Sequence, residues 1–346
     1  MSKRVKAGVV GAGVFGAHHA RKFAQSAMAD LIGVFDVDTM KAATLADDIG
    51  ACAFERFDEL LAKIDAVTIA SPAQTHFEMA RWALIAGKHV YVEKPLALTL
   101  EDADELLRLA DEQGVILQVG HQERFVLDAL GLPLPGCAPL EMEFKRCGPA
   151  TGRGEDVCVV FDLMIHDLDL VRMFGMGKAL NVSAAGNENE TVATVVFEGG
   201  ARCSFVASRQ SHDRARSMSA VYEHGAVQLD FLSRQMQNSS RHNAVCDFAS
   251  LSHEALQDPL GFGVTAFLRS ILGGLLAMVD GRAGRGALEL ATLIVEARSE
   301  TNTTDARSES SAHEDGVANA VWPATLSSGK FPLSISKPNR CEFGIV

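Results

Sequence analysis

Three short stretches of this chain combine residue types whose chemistry depends on their spacing. Gly11-Ala12-Gly13-Val14-Phe15-Gly16 spells GxGxxG between an apolar, β-branched run and an amphipathic stretch. In such a loop the first glycine permits a tight turn, the second lets a pyrophosphate approach the backbone, and the third lets helix pack on strand. The helix N-terminus then attracts the anion. Asp36 lies 20 residues beyond Gly16, at the end of the next apolar run. A carboxylate there can bind both ribose hydroxyls of NAD and repels the 2′-phosphate of NADP. Gly11, Gly13, Val14, Phe15, Gly16 and Asp36 are therefore candidate dinucleotide contacts, with NAD as the cofactor. As a helix cap Asp36 is redundant, because Asp38 and Thr39 can serve that role.

Glu93-Lys94-Pro95 directly follows the run HVYVE. A lysine at the carboxyl end of a parallel strand can donate to a substrate oxygen, although an exposed Glu93–Lys94 ion pair explains the dipeptide equally well. In FDLMIHDLDL, Asp162 and His166 are four residues apart, hence on one face of a regular helix, with apolar Leu163, Met164 and Ile165 between them. A carboxylate that orients an imidazole is a common general acid/base device, and a satisfied core histidine is the plain alternative. Asp167 and Asp169 read as surface or capping groups. Arg124, in GHQERF (120–125), can grip a phosphate or carboxylate through two parallel hydrogen bonds. His18, His19 and His76 lie near the dinucleotide loops and read as helix-surface or hydrogen-bonding groups. Asp162 and His166 make no metal site without ligands from elsewhere, and no metal is expected. The chain has no GxSxG elbow, no Walker lysine motif and no HExxH.

The elements that must carry these residues follow from hydrophobic period. Strands are predicted at 5–10, 31–35, 66–70, 89–92 and 115–119, alternating with helices at 14–26, 41–49, 58–62, 74–86 and 100–112, the last capped by Thr99. Continuous apolar strands alternating with helices imply a doubly wound parallel sheet covered on both faces. This α/β domain is placed at residues 1–122. Pro133, Pro135 and Pro139 punctuate the passage into a second, α+β domain at 123–300. It begins with one strong helix at 159–174. Hairpins around Gly199-Gly200 and His224-Gly225 then imply an open, mostly antiparallel sheet, and helices at 263–278 and 286–298 close it. Residues 301–346 are polar and Ser/Thr-rich, without hydrophobic period, and read as a disordered tail.

Composition excludes several classes. The 346 residues are 47% hydrophobic and 22% charged, and 32 Lys and Arg stand against 44 Asp and Glu, a net charge of −12. No basic block is present, so a nucleic-acid partner is not expected. Seven cysteines, at 52, 137, 147, 158, 203, 246 and 341, are odd in number and scattered, as in reduced thiols. No segment reads as a signal peptide or a spanning helix, so a cytoplasmic protein away from membranes is expected.

Taken together and in order, GAGVFG, Asp36, SPAQTH (71–76), EKP (93–95), GHQERF (120–125) and DLMIHDLDL (162–170) resemble the Gfo/Idh/MocA oxidoreductase family over roughly residues 5–298. The resemblance implies a Rossmann domain followed by an α/β domain whose open sheet often mediates homodimers or homotetramers. It matches Lys94, Asp162 and His166 to the family's catalytic Lys, Asp and His. Ser71, Pro72, His76, Glu93 and Gln122 match positions lining the cofactor. Within the family, GHQERF with DLMIHDLDL is most similar to the UDP-N-acetylglucosamine 3-dehydrogenases, although Val126-Leu127 stand where Asn-Pro is usual there.

That resemblance implies NAD-dependent oxidation of a sugar hydroxyl. The substrate expected is UDP-N-acetylglucosamine, oxidised at C3, with Arg124 and Arg153 as candidate substrate contacts and Lys145, Arg146 and Arg209 as further cations available to its diphosphate. Because alcohol oxidation by NAD is uphill near neutral pH, a partner that consumes the ketone is expected, such as a pyridoxal-phosphate aminotransferase. Either His166 or Lys94 can serve as base. The alternatives are an inositol or hexose dehydrogenase, an NAD-dependent glycoside hydrolase and a non-catalytic dinucleotide sensor. A subgroup with a catalytic Tyr is disfavoured, because Tyr91 and Tyr222 are the only tyrosines and neither lies in a catalytic motif.

Overall fold

Six strands pair in parallel in the order β3-β2-β1-β4-β5-β6. They are β1 (Val5–Val10), β2 (Ala29–Phe35), β3 (Cys52–Phe54), β4 (Ala66–Ile69), β5 (His89–Val92) and β6 (Leu117–Val119). Helices α1 (Val14–Gln25), α2 (Thr39–Ile49), α3 (Phe57–Leu61), α4 (His76–Ile85) and α5 (Leu100–Gln113) connect them. The strand order reverses between β1 and β4, so the carboxyl ends of these two strands open a crevice where ligands of doubly wound folds bind. Every residue of β4 and β6 is buried, which is why these strands read as unbroken apolar runs. Local signals end the helices where expected. Thr99 accepts from the Asp102 amide to start α5, and Gly114, at φ +63°, stops it.

This structure, a computed structural model, describes residues 3–152, 155–240 and 244–311. Both sheets belong to a compact unit, Met1–Thr304, and Asp305–Val346 form another. After α6 (Glu123–Ala129) and β7 (Glu141–Cys147), a π-helical turn (Val160–Met164) leads into α7 (Ile165–Met173). Then follow β8 (Ala179–Gly186), β9 (Glu190–Phe197), β10 (Arg202–Ser208), β11 (Ala215–Tyr222), β12 (Gly225–Asp230), β13 (Gln235–Asn238) and β14 (Ala244–Asp247). Together with β7 they form a sheet of order β14-β13-β12-β11-β7-β10-β9-β8, in which only β7 and β10 run parallel. The expected fold class, a Rossmann sheet followed by an open, mostly antiparallel one, is the observed architecture.

Helices α8 (Glu254–Gln257), α9 (Pro259–Gly273) and α10 (Gly281–Ser311) complete the described residues. α9 begins earlier than period alone places it, because Pro259 sits in its first turn and Asp258 accepts from the Gly261 amide. It also stops earlier, at Gly274, which adopts φ +62°. α10 continues to Ser311, beyond the start of the tail expected at 301, and residues 312–346 lie outside the described residues. Among the described residues no helix is long and apolar enough to cross a membrane.

One strand that periodicity missed matters for the site. β7 reads EMEFKRC, too charged to stand out, yet it alternates strictly: Met142, Phe144 and Arg146 are buried while Glu141 and Glu143 are exposed. Phe144 stacks on Phe205 at 5.3 Å in the core beneath the sheet. The same alternation carries the guanidinium of Arg146 inward, so it must find carboxylates there.

Candidate active site

The glycine loop has the geometry a pyrophosphate needs. Gly11 adopts φ +96°, and a Cβ on it would meet the Ala70 carbonyl at 2.6 Å. A Cβ on Gly16 would fall 1.7 Å from the Gly11 carbonyl oxygen, so this glycine lets α1 pack on β1. At Gly13 a Cβ would meet nothing within 4 Å, and no side chain caps the N-terminus of α1 there. The backbone amides at that end thus face open space that an anion can fill. Val14 and Phe15 are about half exposed beside it. Asp36 is pinned at the end of β2: the Ala12 amide donates to its Oδ2 at 2.6 Å and the Asp38 amide to its Oδ1 at 2.8 Å. These residues fit a dinucleotide carrying a free 2′-hydroxyl.

The turns after β4, β5 and β6 converge on the same crevice. Glu93 is buried and accepts from His19 Nε2 at 2.7 Å. The expected surface pair between Glu93 and Lys94 is therefore absent, and His19, read as a helix-surface or hydrogen-bonding group, is a buried hydrogen-bonding one. Gly120 is needed beside this carboxylate, because a Cβ there would come within 2.7 Å of it. His76 ties two turns together, with Nδ1 2.7 Å from the Pro95 carbonyl oxygen and Nε2 2.9 Å from that of Ser71. Burial pushes its imidazole pKa down. The Ser71 hydroxyl accepts from Thr75 Oγ1 at 2.7 Å, and the Lys94–Pro95 peptide is cis.

Lys94 and His166 each have a carboxylate partner, and the two partners are different. Lys94 Nζ donates to the backbone carbonyl of Asp162 at 2.7 Å and to its Oδ1 at 3.1 Å. His166 Nδ1 lies 2.9 Å from Glu123 Oε2. Asp162 therefore does not orient His166, contrary to the helical spacing. The segment Val160–Met164 winds as a π turn rather than an α turn, which changes the angular step between residues 162 and 166. Burial pushes the His166 imidazole down to about 3, against the opposing pull of Glu123, so the ring is neutral near pH 7. Burial alone would raise the Glu123 carboxyl, but His166, Arg146 and Arg216 outweigh it and hold the group well below the usual carboxylate range.

The remaining charges belong to buried networks. Arg146 Nη2 pairs with Asp167 at 2.7 Å, and its Nη1 with Glu123 at 3.1 Å. Arg124 Nε donates to the buried Asp169 at 2.6 Å. Asp167 and Asp169 are thus interior ion-pair partners rather than surface or capping groups. Arg124, expected at the substrate, has its guanidinium committed to the interior. Arg153 lies outside the described residues.

A cavity of about 670 Å³ joins these groups, lined by Phe15, Ser71, Pro72, His76, Glu93, Lys94, Gln122, Asp162 and His166 among the expected residues. Gly11, Gly13, Val14, Gly16, Asp36 and Arg124 do not line it; all but Arg124 lie at or beside the glycine loop. Arg146 and Arg209 also line it, and among the lining residues that escaped sequence reasoning are Glu123, Arg214 and Arg216. Glu123 stood inside a quoted motif without a role. Arg214 and Arg216 are two apart near the start of β11, which puts them on one face, and that alternation was their only signal. Among the described residues no group of three or more His, Cys, Asp or Glu could hold a metal ion.

A 3-2-1-4-5-6 parallel sheet, an open glycine loop and a pinned acidic residue at the end of β2 define a dinucleotide-binding Rossmann domain. Residues 5–121 match the Gfo/Idh/MocA family model, described as an oxidoreductase family with an NAD-binding Rossmann fold. The UDP-N-acetylglucosamine 3-dehydrogenase of Acidithiobacillus ferrooxidans is 33% identical over 299 residues, 83% of this chain and 95% of that protein. A solved structure of that enzyme superposes with a TM-score of 0.79, covering 85% of this chain and 98% of the other. The scyllo-inositol 2-dehydrogenase (NAD(+)) of Bacillus subtilis is 29% identical over 301 residues, 74% of this chain and 84% of that protein. The chain belongs to the Gfo/Idh/MocA family and is an NAD(H)-dependent oxidoreductase acting on a CH–OH group.

Proposed function

We propose that this protein oxidises the C3 hydroxyl of UDP-N-acetylglucosamine to the 3-keto sugar. The observation that carries the reading is the pairing of an ammonium donor, Lys94, and a neutral imidazole, His166, on one cavity edged by Arg214 and Arg216. Lys94, ion-paired with Asp162, acts as donor to the hydroxyl oxygen, and its charge stabilises the alkoxide character that grows there. His166, neutral through burial, takes the hydroxyl proton. NAD, when bound, would supply the hydride acceptor for C3. Gly13 and Asp36 would hold the pyrophosphate and the adenosine ribose of that cofactor. The arginines supply the local positive charge that a diphosphate needs on a net-acidic protein. The 33% identity to a UDP-N-acetylglucosamine 3-dehydrogenase over 83% of the chain supports this substrate.

Because the oxidation is uphill near neutral pH, the test couples it to removal of the ketone. Enzyme, NAD and UDP-N-acetylglucosamine are incubated with a pyridoxal-phosphate aminotransferase and an amino donor, and products are read by mass spectrometry. The 3-keto or 3-amino sugar nucleotide is expected. NADH formation from an inositol or a free hexose, with no product from the nucleotide sugar, would reassign the protein as a polyol or hexose dehydrogenase.

A further inference from the structure

We propose that Glu123 is the positioning residue of His166, holding its Nδ1–H so that Nε2 faces the substrate hydroxyl, while Asp162 serves Lys94. The inference rests on the reading that His166 takes the hydroxyl proton. An ionised carboxylate only accepts hydrogen bonds, so the 2.9 Å contact between Glu123 Oε2 and His166 Nδ1 requires the proton on Nδ1. The unprotonated nitrogen is then Nε2, the one able to act as base.

The surroundings of Glu123 keep it in that state. From β7, Arg146 Nη1 reaches its Oε1 at 3.1 Å, and from β11, Arg216 Nη1 lies 3.7 Å from the same oxygen. Oε1 is thus occupied by cations, and Oε2 is left to the imidazole. Asp167 on α7 faces Arg146 from its other side, at 2.7 Å, and fixes the guanidinium plane. His121 packs edge-on against the His166 ring at 6.4 Å between centroids and limits its rotation. Lys94, a further charge near His166, is held by Asp162. A proton arriving on Nε2 makes an imidazolium directly opposite an ionised carboxylate, which offsets part of the cost that burial sets on the charged form.

The test reads the tautomer directly. Protein labelled with ¹⁵N-histidine is compared with H166Q, which assigns the His166 ring signals by difference. At pH 7.5 the wild-type Nδ1 is expected in the protonated range and Nε2 in the unprotonated range. The reverse tautomer, or an imidazolium, overturns the proposal without any variant of Glu123. In E123Q the charge is lost at nearly constant size. A mixture of tautomers is expected, with kcat lower by roughly ten- to hundredfold and NAD affinity and substrate KM within about threefold. Unchanged kcat in folded E123Q overturns the proposal, as does a tautomer change in D162N. Full turnover in H166Q would instead remove the underlying reading of His166.

Discussion

Lys94 Nζ and Asp162 meet across 68 residues of chain, with the ammonium bonded to both the carbonyl and the carboxylate of the same aspartate. Both side chains are only 17% exposed, so the pair sits at the cavity wall rather than in solvent. Asp162 lies inside the π turn Val160–Met164, an irregularity of a kind often found at functional sites. Lys94→Met and His166→Ala are each expected to lower kcat by at least about a hundredfold while NAD affinity stays within threefold. Asp162→Asn should also slow turnover, through Lys94. Stopped-flow kinetics with fluorescence titration of NADH reads all three; near-normal turnover in either of the first two removes that residue from the chemistry.

Two of the loop glycines, Gly13 and Gly16, should separate cofactor binding from folding. Gly13→Ala meets no atom within 4 Å, so its melting temperature is expected to stay put while the NAD dissociation constant rises. Gly16→Ala drives a methyl into the Gly11 carbonyl and should lower the melting temperature sharply. Equal effects of the two substitutions on stability would contradict these assignments.

Asp36 is expected to make NAD the preferred cofactor over NADP. Its carboxylate is anchored by two backbone amides, so it cannot swing away from a 2′-phosphate. Asp36→Ala should narrow the ratio of kcat/KM for the two cofactors by about tenfold or more, a change of roughly 1.4 kcal/mol in discrimination. A wild-type enzyme that uses NADP as well as NAD would refute this role.

Arg124→Ala should act on stability rather than on substrate binding. It strips the partner from Asp169, whose side chain is 1% exposed, and leaves a buried carboxylate unpaired. Breaking such a pair costs about 3–5 kcal/mol. A shifted denaturant midpoint with an unaltered substrate KM is expected. The opposite pattern would return Arg124 to the substrate.

His166 should also make the fold acid-sensitive. Its folded pKa of about 3 lies below the ordinary 6.5, so between these values the unfolded chain binds a proton that the native chain refuses. Stability therefore falls as pH drops from 6.5 towards 3, by about 2 kcal/mol at pH 5 for this one group. Glu123 is depressed as a carboxylate, so its stabilisation persists above about pH 4.5 and adds no slope over the interval from pH 7.5 to 5. The stability gap between wild type and His166→Gln, measured by urea unfolding, should change by about 2 kcal/mol in favour of the variant between pH 7.5 and 5. A constant gap would mean that His166 titrates normally.

Features that depend on neighbours in the chain were legible before any fold was known. The glycine loop, the placing of Asp36 one strand later, the Thr99 cap and the hairpin at Gly199-Gly200 all rest on backbone torsion and local period, which a linear reading captures. Pairings between charged groups were not legible in this way. Spacing along a regular helix joined Asp162 to His166, but the helix is irregular there, and Glu123, 43 residues away, takes the imidazole. Arg124 and Arg146 read as free cations, yet a short helix and a charged strand turn them into the interior, where only a carboxylate offsets their desolvation. An ion pair is chosen by distance and burial after packing, and neither quantity is a property of sequence separation. Local chemistry therefore named the parts of this site, and tertiary packing decided which part serves which.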